Sequence, residues 1–251
     1  MKKKTFLTYE KPILVSMVQA DNPDRIKALM DASIPEGAEA FGMQFCRLKP
    51  EYKNERTYRE ILSYAKGKPV YVTNYRYGTN AGLSDDLLAE GLLSLAEYGA
   101  TLCDVMGDLY DKCEGELTMN ETAVSKQMRL IDALHKKGAE VLMSSHVFKF
   151  TPAERVLEIA LEHKRRGADI AKIVTGAETA AEEIENLRII DLLKRELGIP
   201  FLFLAGGECR VMRRIGGVLG NCMSLCVHEH DAFSTEAQPL LRDVKLIRDI
   251  L

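Results

Sequence analysis

The chain has 251 residues, with 34 Lys and Arg against 37 Asp and Glu and a formal net charge of −3. This balance argues against a nucleic-acid partner, because such proteins usually concentrate positive charge. The lysines at residues 2–4 precede no long apolar run, and no stretch approaches the roughly 18 apolar residues of a membrane span. We therefore expect a cytoplasmic protein without a signal peptide or a membrane anchor.

Eight short apolar runs recur about every 30 residues, which is the length of a βα unit. Near-continuous apolar runs are typical of parallel strands that are buried on both faces. In chain order, the runs are 13–18, 40–45, 70–75, 101–106, 141–146, 170–174, 201–205 and 223–227.

Helical patterns lie between these runs. Apolar residues recur with helical spacing on one face from Leu87 to Ala96. Thr151-Pro152 precedes another such face, so we expect Thr151 to be the N-cap and Pro152 the first helical residue. Glycines before the strands are expected to end the preceding segments in the left-handed conformation. They are Gly37, Gly67, Gly99, Gly138, Gly167 and Gly198.

These repeated units predict an α/β fold, a (β/α)8 TIM barrel, in which residues 1–251 form a single catalytic domain. The length suits such a barrel, which commonly has about 250 residues. An open doubly wound sheet is the alternative, but no GxGxxG follows the first strand. In a barrel of this kind, the active site is built from the carboxyl ends of the strands and the loops that follow them.

Lys172 is the strongest candidate for a catalytic residue, because it interrupts the sixth apolar run. In the helix layer its ammonium would be buried without a partner, at a cost of several kcal/mol, so we expect it to face the barrel interior. Burial disfavours the charged form of an amine, and a neutral lysine can attack a carbonyl to form an imine. A structural ion pair inside the barrel is the alternative.

His146 ends the fifth run after two serines, one strand away from Lys172. Histidine titrates near neutral pH and suits proton transfer, so the two strand ends offer an amine beside an imidazole. A core histidine with satisfied nitrogens is the alternative. Arg76 ends the third run and Asp104 lies within the fourth.

The segment after the seventh run contains Gly206-Gly207 and several arginines, which could hold a carboxylate or a phosphate. The six cysteines form no CxxC pair and are expected to be reduced. Zinc ligation by Cys222 and Cys226 with His228 or His230 is an alternative, because strand spacing could place these residues on one face. We interpret residues 228–231 as a polar loop.

Three segments resemble type I 3-dehydroquinate dehydratases. Ser144-Ser145-His146-Val147-Phe148-Lys149-Phe150-Thr151-Pro152 resembles the S-[YS]-H-x-F-x-x-T-P segment of that family, and Gly167-Ala168-Asp169-Ile170-Ala171-Lys172 resembles its GAD-I-x-K strand. Residues 213–220 resemble its S-R-x-x-G-x-x-x-G segment, with Met212 in place of the usual Ser. The resemblance is specific over residues 140–220 and looser before them.

The resemblance implies a hydro-lyase of the shikimate pathway of aromatic amino acid biosynthesis. Lys172 would condense with the substrate ketone, and His146 would remove a proton and then protonate the leaving hydroxyl. The implied substrate-binding residues are Arg213 as the carboxylate clamp, Gln238 in the lid loop, Arg76 and Ser234. An ungapped alignment would put Glu236 in the place of Gln238. The resemblance implies no cofactor or metal, a small-molecule carboxylate substrate and a homodimer.

The chain departs from the family pattern at the residues that bind the hydroxyl groups of the substrate. The family's E-x-R-x-D corresponds to residues 42–46, which begin with Gly42, and Arg47 would point away if the strand continued. Asn80 stands in place of the Glu that orients the histidine, and a neutral amide supports an imidazolium less well than a carboxylate. A Schiff-base lyase or aldolase acting on another hydroxy-keto acid or a sugar phosphate therefore stays open, as does a non-catalytic ligand-binding barrel.

Overall fold

The computed structural model describes residues 5–251 and contains one sheet of eight parallel strands. The first seven strands pair in chain order, and the first also pairs with the eighth. Between the seventh and eighth strands, the Cys222 amide donates to the Phe201 carbonyl at 2.9 Å. The strands are β1 Ile13–Met17, β2 Ala40–Gln44, β3 Val70–Thr73, β4 Leu102–Met106, β5 Glu140–His146, β6 Ile170–Gly176, β7 Phe201–Gly206 and β8 Met223–Cys226.

A helix follows each strand, which confirms the (β/α)8 barrel and rules out the open sheet. The helices are α1 Pro23–Ser33, α2 Glu55–Tyr64, α3 Asp85–Glu97, α4 Glu121–Lys136, α5 Ala153–Arg165, α6 Ala180–Glu196, α7 Val211–Leu219 and α8 Leu241–Ile250. Short 3-10 turns lie at Phe45–Arg47, Pro50–Tyr52, Gly78–Asn80 and Glu114–Glu116. Within residues 5–251, no helix is both long and apolar enough to span a membrane.

Local signals in the sequence located most element boundaries correctly. All six glycines named above have positive φ angles, between 72° and 101° except for 114° at Gly99. Two details were wrong. Leu87 is 51% exposed instead of facing the core. Helix α5 begins one residue later than expected, because Pro152 adopts an extended ψ of 154° and becomes the N-cap. The Glu185 carboxylate accepts from the first helical amide, at Ala153, at 3.0 Å.

The barrel interior changes from apolar to polar towards the carboxyl ends of the strands. Ile170 of β6 packs inside the barrel with Leu142 and Leu202 from the flanking strands. Because side chains alternate along a strand, Lys172 points to the same side as Ile170, one layer nearer the mouth. Lys172 therefore lies between the apolar layer of the barrel interior and the polar side chains at the mouth.

Candidate active site

Lys172 lies inside the barrel and is 5% exposed. Its Nζ donates to the hydroxyls of Tyr71 at 3.0 Å and Tyr75 at 2.9 Å, and to Asp104 Oδ2 at 3.1 Å. The expected interior position is thus observed, and the ammonium is compensated by an ion pair. Of the two alternatives drawn from the sequence, the ion pair inside the barrel is the one that these contacts show, and a reactive amine at Lys172 stays a prediction.

Asp104 accepts hydrogen bonds from four side chains. The hydroxyls of Tyr71 and Tyr75 and the Lys172 ammonium donate to Oδ2, and Ser144 donates to Oδ1 at 2.6 Å. Burial alone would raise the pKa of Asp104, but the charge of Lys172 and these donors hold the pKa below its usual value. Burial, and then the Asp104 charge, raise the pKa of both tyrosines well above 10. The site therefore holds two protonated phenols around one carboxylate.

His146 is oriented by Glu116, which the sequence analysis missed. The His146 Nδ1 lies 2.6 Å from Glu116 Oε2, and the backbone amide of His146 donates to the same oxygen at 3.1 Å. A carboxylate acceptor requires the proton on Nδ1, which leaves Nε2 available as a base. Gly107 makes room for this arrangement, because a Cβ there would lie 2.4 Å from the Glu116 carbonyl oxygen.

Tyr75 links the lysine and the histidine. Its ring centroid is 5.5 Å from Lys172 Nζ and 5.5 Å from the His146 ring, which it meets edge-on. In the β5–β6 register, Ser144 pairs with Lys172 and His146 pairs with Val174. His146 is therefore one side-chain layer closer to the mouth than Lys172, about 6–7 Å along the strand direction.

Arg76 and Asn80, which align with the third-strand segment of the family, both contact other protein groups. Arg76 donates to both carboxylate oxygens of Asp85 at 2.7 Å, and to Asp108 Oδ1 at 2.6 Å and its carbonyl at 2.7 Å. These bonds engage its guanidinium with two carboxylates, and the role of Arg76 in substrate binding stays a prediction. Asn80 is buried, donates to Asn74 and the Tyr75 carbonyl, and makes no contact with His146 among the described hydrogen bonds.

Arg213, a predicted anion-binding residue, has a half-buried side chain that keeps free donors. Its Nε donates to the Ala205 carbonyl at 2.8 Å, and no carboxylate of residues 5–251 forms an ion pair with it. Burial, and secondarily the nearby Arg210, lower the pKa of Arg213 to about 10, so it stays protonated at neutral pH. A half-buried guanidinium without a carboxylate partner is a favourable place for an anion to bind.

The loop after β8 contains the other two predicted substrate contacts. Ser234 belongs to a turn in which its hydroxyl accepts from the Asp231 amide at 2.9 Å and donates to the Asp231 carbonyl. Gln238 is 7% exposed and its Oε1 accepts from the Thr235 amide at 2.9 Å. Glu236 points outward, with its side chain 89% exposed and 3.7 Å from Arg210. Of the two lid candidates, Gln238 is the buried one.

The second strand is altered in a way that the sequence did not reveal. A Cβ at Gly42 would lie 2.2 Å from Met17 Sδ, so Met17 fills the space where the family carries a longer side chain. The strand ends at Gln44, and the following turn carries Arg47 back so that its Nε donates to Gln44 at 2.6 Å. Arg47 was expected to point away only in a continuing strand, and that condition is not met because the chain turns after Gln44.

No zinc site forms at the eighth strand. Among the described residues, no three His, Cys, Asp or Glu side chains come close enough together to hold a metal ion. Cys226 packs in the layer between strand and helices, whereas His230 Nε2 donates to the Gln238 carbonyl in the loop at 2.9 Å. Residues 228–231 form the polar loop that was expected.

Comparisons with known proteins agree with this architecture. The model of the family described as type I 3-dehydroquinase matches residues 92–251. A 3-dehydroquinate dehydratase from Listeria monocytogenes serotype 4a (strain HCC23) is 27% identical over 203 residues, which cover 79% of this chain and 74% of that protein.

Two solved structures have the same fold. The 3-dehydroquinate dehydratase from Geobacillus kaustophilus HTA426 has a TM-score of 0.81 at 17% identity, covering 96% of this chain and 91% of that one. The type I enzyme from Clostridium difficile, solved with covalently modified comenic acid, has a TM-score of 0.79 at 14% identity and covers 96% of this chain and 93% of its own. With a family model that matches more than half of its residues, this chain belongs to the type I 3-dehydroquinase family.

Proposed function

We propose that this chain dehydrates 3-dehydroquinate through an imine on Lys172, with His146 as the general acid and base. Family membership makes it a lyase that eliminates water. The observation that carries the residue assignments is the arrangement at the mouth: a buried lysine beside Asp104, and a histidine held through Nδ1 by Glu116. An amine and an oriented imidazole on neighbouring strands are what an imine-dependent elimination needs.

The chemistry follows from the positions of these groups. Lys172 Nζ attacks the ketone, and loss of water gives an iminium that withdraws electrons from the adjacent carbon. His146 Nε2 removes a proton from that carbon, and Glu116 stabilises the imidazolium through Nδ1. The same imidazolium then protonates the hydroxyl that leaves, and hydrolysis of the imine frees the enone product.

Arg213 favours a carboxylate as the anionic group of the substrate. A phosphate dianion usually draws several donors, whereas Arg210 lies 3.7 Å from the Glu236 carboxylate and Arg214 is exposed. The glycine corner after β7 is also unsuited to phosphate. There the Glu208 amide donates to the Glu178 carboxylate at 3.2 Å, so the corner already holds a negative charge. We therefore place the substrate carboxylate at Arg213, with Gln238 and Ser234 as contacts from the lid loop.

Further predictions accompany this assignment. We expect residues 1–251 to act as one catalytic domain, the protein to be cytoplasmic and its assembly to be a homodimer. The reaction would be a step of the shikimate pathway and would need no cofactor.

The test is a direct assay with purified protein and 3-dehydroquinate, in which the conjugated enone is followed by absorbance. Borohydride added during turnover should inactivate the protein and add mass to the peptide that contains Lys172. A rate no higher than the uncatalysed one, in protein that still traps another carbonyl compound at Lys172, would favour a lyase or aldolase with a different substrate. Tight binding of a hydroxylated carboxylate without turnover would favour the non-catalytic barrel.

A further inference from the structure

Formation of an imine from a lysine ammonium requires two proton movements. The ammonium carries three protons and the iminium carries one, so two protons must leave with the ketone oxygen as water. This inference rests on the proposed function and concerns the groups that move those protons. His146 lies one layer nearer the mouth than Lys172, where it suits the carbon acid of the substrate.

Tyr75 and Asp104 are in direct contact with the nitrogen that loses these protons. Asp104 Oδ2 is 3.1 Å from Lys172 Nζ, and the Tyr75 hydroxyl is 2.9 Å from Nζ and donates to the same Oδ2. An ammonium can only donate hydrogen bonds, so the single phenol proton must point at the carboxylate. Lysine, aspartate and tyrosine thus form a closed triangle of hydrogen bonds.

Tyr71 makes similar contacts from a deeper position. Its hydroxyl is 3.0 Å from Nζ and also donates to Asp104, but it belongs to β3 itself and is 0% exposed. Tyr75 lies two residues beyond the strand end and contacts His146 at the mouth. A ketone that enters from the mouth therefore meets the hydroxyl of Tyr75 before that of Tyr71.

We propose that Asp104 and Tyr75 relay the two protons from Lys172 to the ketone oxygen, and that Tyr71 is a positioning residue. Asp104 first takes a proton from the ammonium, and the neutral amine forms the carbon–nitrogen bond. Tyr75 donates its proton to the resulting alkoxide, and Asp104 returns a proton to the phenolate.

Transfer of a second proton through Asp104 and Tyr75 completes imine formation. The nitrogen of the carbinolamine gives another proton to Asp104, and Tyr75 protonates the hydroxyl, so the carbon–oxygen bond breaks and water leaves. Asp104 then restores the Tyr75 proton and is left as a carboxylate beside the iminium. The relay ends in its starting protonation state, and the two protons lost by Lys172 are those gained by the oxygen.

The test compares Tyr75→Phe with Tyr71→Phe, since each variant loses one hydroxyl on Nζ and keeps its ring. Enzyme and 3-dehydroquinate are mixed rapidly and quenched with borohydride at successive times, and the mass added at Lys172 gives the rate of imine formation. We expect Tyr75→Phe to slow this rate by about 10²-fold, the usual contribution of a positioned proton donor. We expect Tyr71→Phe to slow it less than about tenfold.

Replacement of Tyr75 by 3,5-difluorotyrosine gives a second readout that does not depend on removing a buried hydroxyl. This residue has a more acidic phenol, so the pH profile of imine formation should move to lower pH if the phenol donates the proton. A profile that does not move, or trapping by Tyr75→Phe at the wild-type rate, would overturn the relay while leaving the proposed function intact. Wild-type protein that forms no borohydride adduct with 3-dehydroquinate at Lys172 would overturn both.

Discussion

The two sides of the barrel mouth are built differently. On the side of β3 to β6, Lys172 and Asp104 lie in a closed set of hydrogen bonds, and His146 is fixed by Glu116. On the side of β7 and β8, Arg213 has one backbone contact and no carboxylate partner among residues 5–251. The side that we propose performs the chemistry is complete without a ligand, and the side that we propose binds the substrate is not.

We expect this difference to assign the catalytic rate to one side of the mouth and the substrate affinity to the other. Groups that act in the transition state gain most from being positioned in advance, because no reorganisation then accompanies the reaction. A desolvated cation such as Arg213 instead stores an electrostatic cost that a substrate carboxylate can relieve. Changes on the first side should therefore lower kcat, and changes on the second should raise KM.

The largest expected effect is that of Lys172→Met. Without the amine no imine forms, so we expect kcat to fall by at least about 10³-fold and the borohydride adduct to disappear. The variant also leaves Asp104 as a buried carboxylate without its cation, which should lower the free energy of unfolding by several kcal/mol. Lys137→Ala, at a surface lysine paired with Glu97, is the matched control and should keep wild-type turnover. An adduct on another lysine would contradict the assignment.

The next effect is that of Glu116→Gln on the orientation and charge of His146. An amide keeps a hydrogen bond but does not stabilise the imidazolium, so we expect kcat to fall by about 10²-fold with little change in KM. The neighbouring Glu114 pairs with Lys149 on the surface, and Glu114→Gln should leave both constants unchanged. Steady-state kinetics of the two variants test this. Equal kinetics for both would show that Glu116 does not support the histidine.

Arg213→Lys should mainly weaken substrate binding. Loss of a charge-assisted bond to a carboxylate usually costs about 1.5–3 kcal/mol, so we expect KM to rise by about 10- to 100-fold while kcat changes little. Arg214 lies next to it on α7 and is exposed, so Arg214→Lys is the control. A fall in kcat with unchanged KM would place Arg213 among the groups that act in the transition state.

The smallest expected effect concerns stability. His163 is fully buried against Ser145 of β5, and burial followed by the Arg166 charge lowers its pKa to about 3. The unfolded chain binds a proton at this residue below about pH 6.5, whereas the folded chain does not until about pH 3. Its contribution to stability is therefore lost as the pH falls through this window, by up to about 1.4 kcal/mol per pH unit.

Urea unfolding at pH 7 and pH 5 measures this loss, which should be about 2 kcal/mol between the two values. His163→Gln should remove most of the difference, since the amide does not titrate. The same pH dependence in wild type and variant would assign it to other groups. Activity changes of His163→Gln should be small beside those of Glu116→Gln, because His163 contacts Ser145 and not His146 itself.

Much of the fold and part of the site were accessible from local sequence signals. Apolar runs located the strands because each strand is buried on both faces, and positive-φ glycines located the turns before them. Lys172 was identified because burying a charged side chain within an apolar strand costs free energy unless a partner or a function compensates for it. Glu116, Tyr71 and Tyr75 were missed, since an acidic residue in a loop or a tyrosine in a strand is common and has no local signature.

The sequence by itself determined the eight βα units, and with them the end of the barrel at which reactive side chains gather. Only the tertiary structure decided which side chains meet there. Glu116 contacts His146 whereas Asn80 does not, Met17 fills the space beside Gly42, and Asp85 and Asp108 form ion pairs with Arg76. Patterns of burial are set by residues close in sequence, whereas these contacts join segments far apart in the chain and depend on how the loops pack.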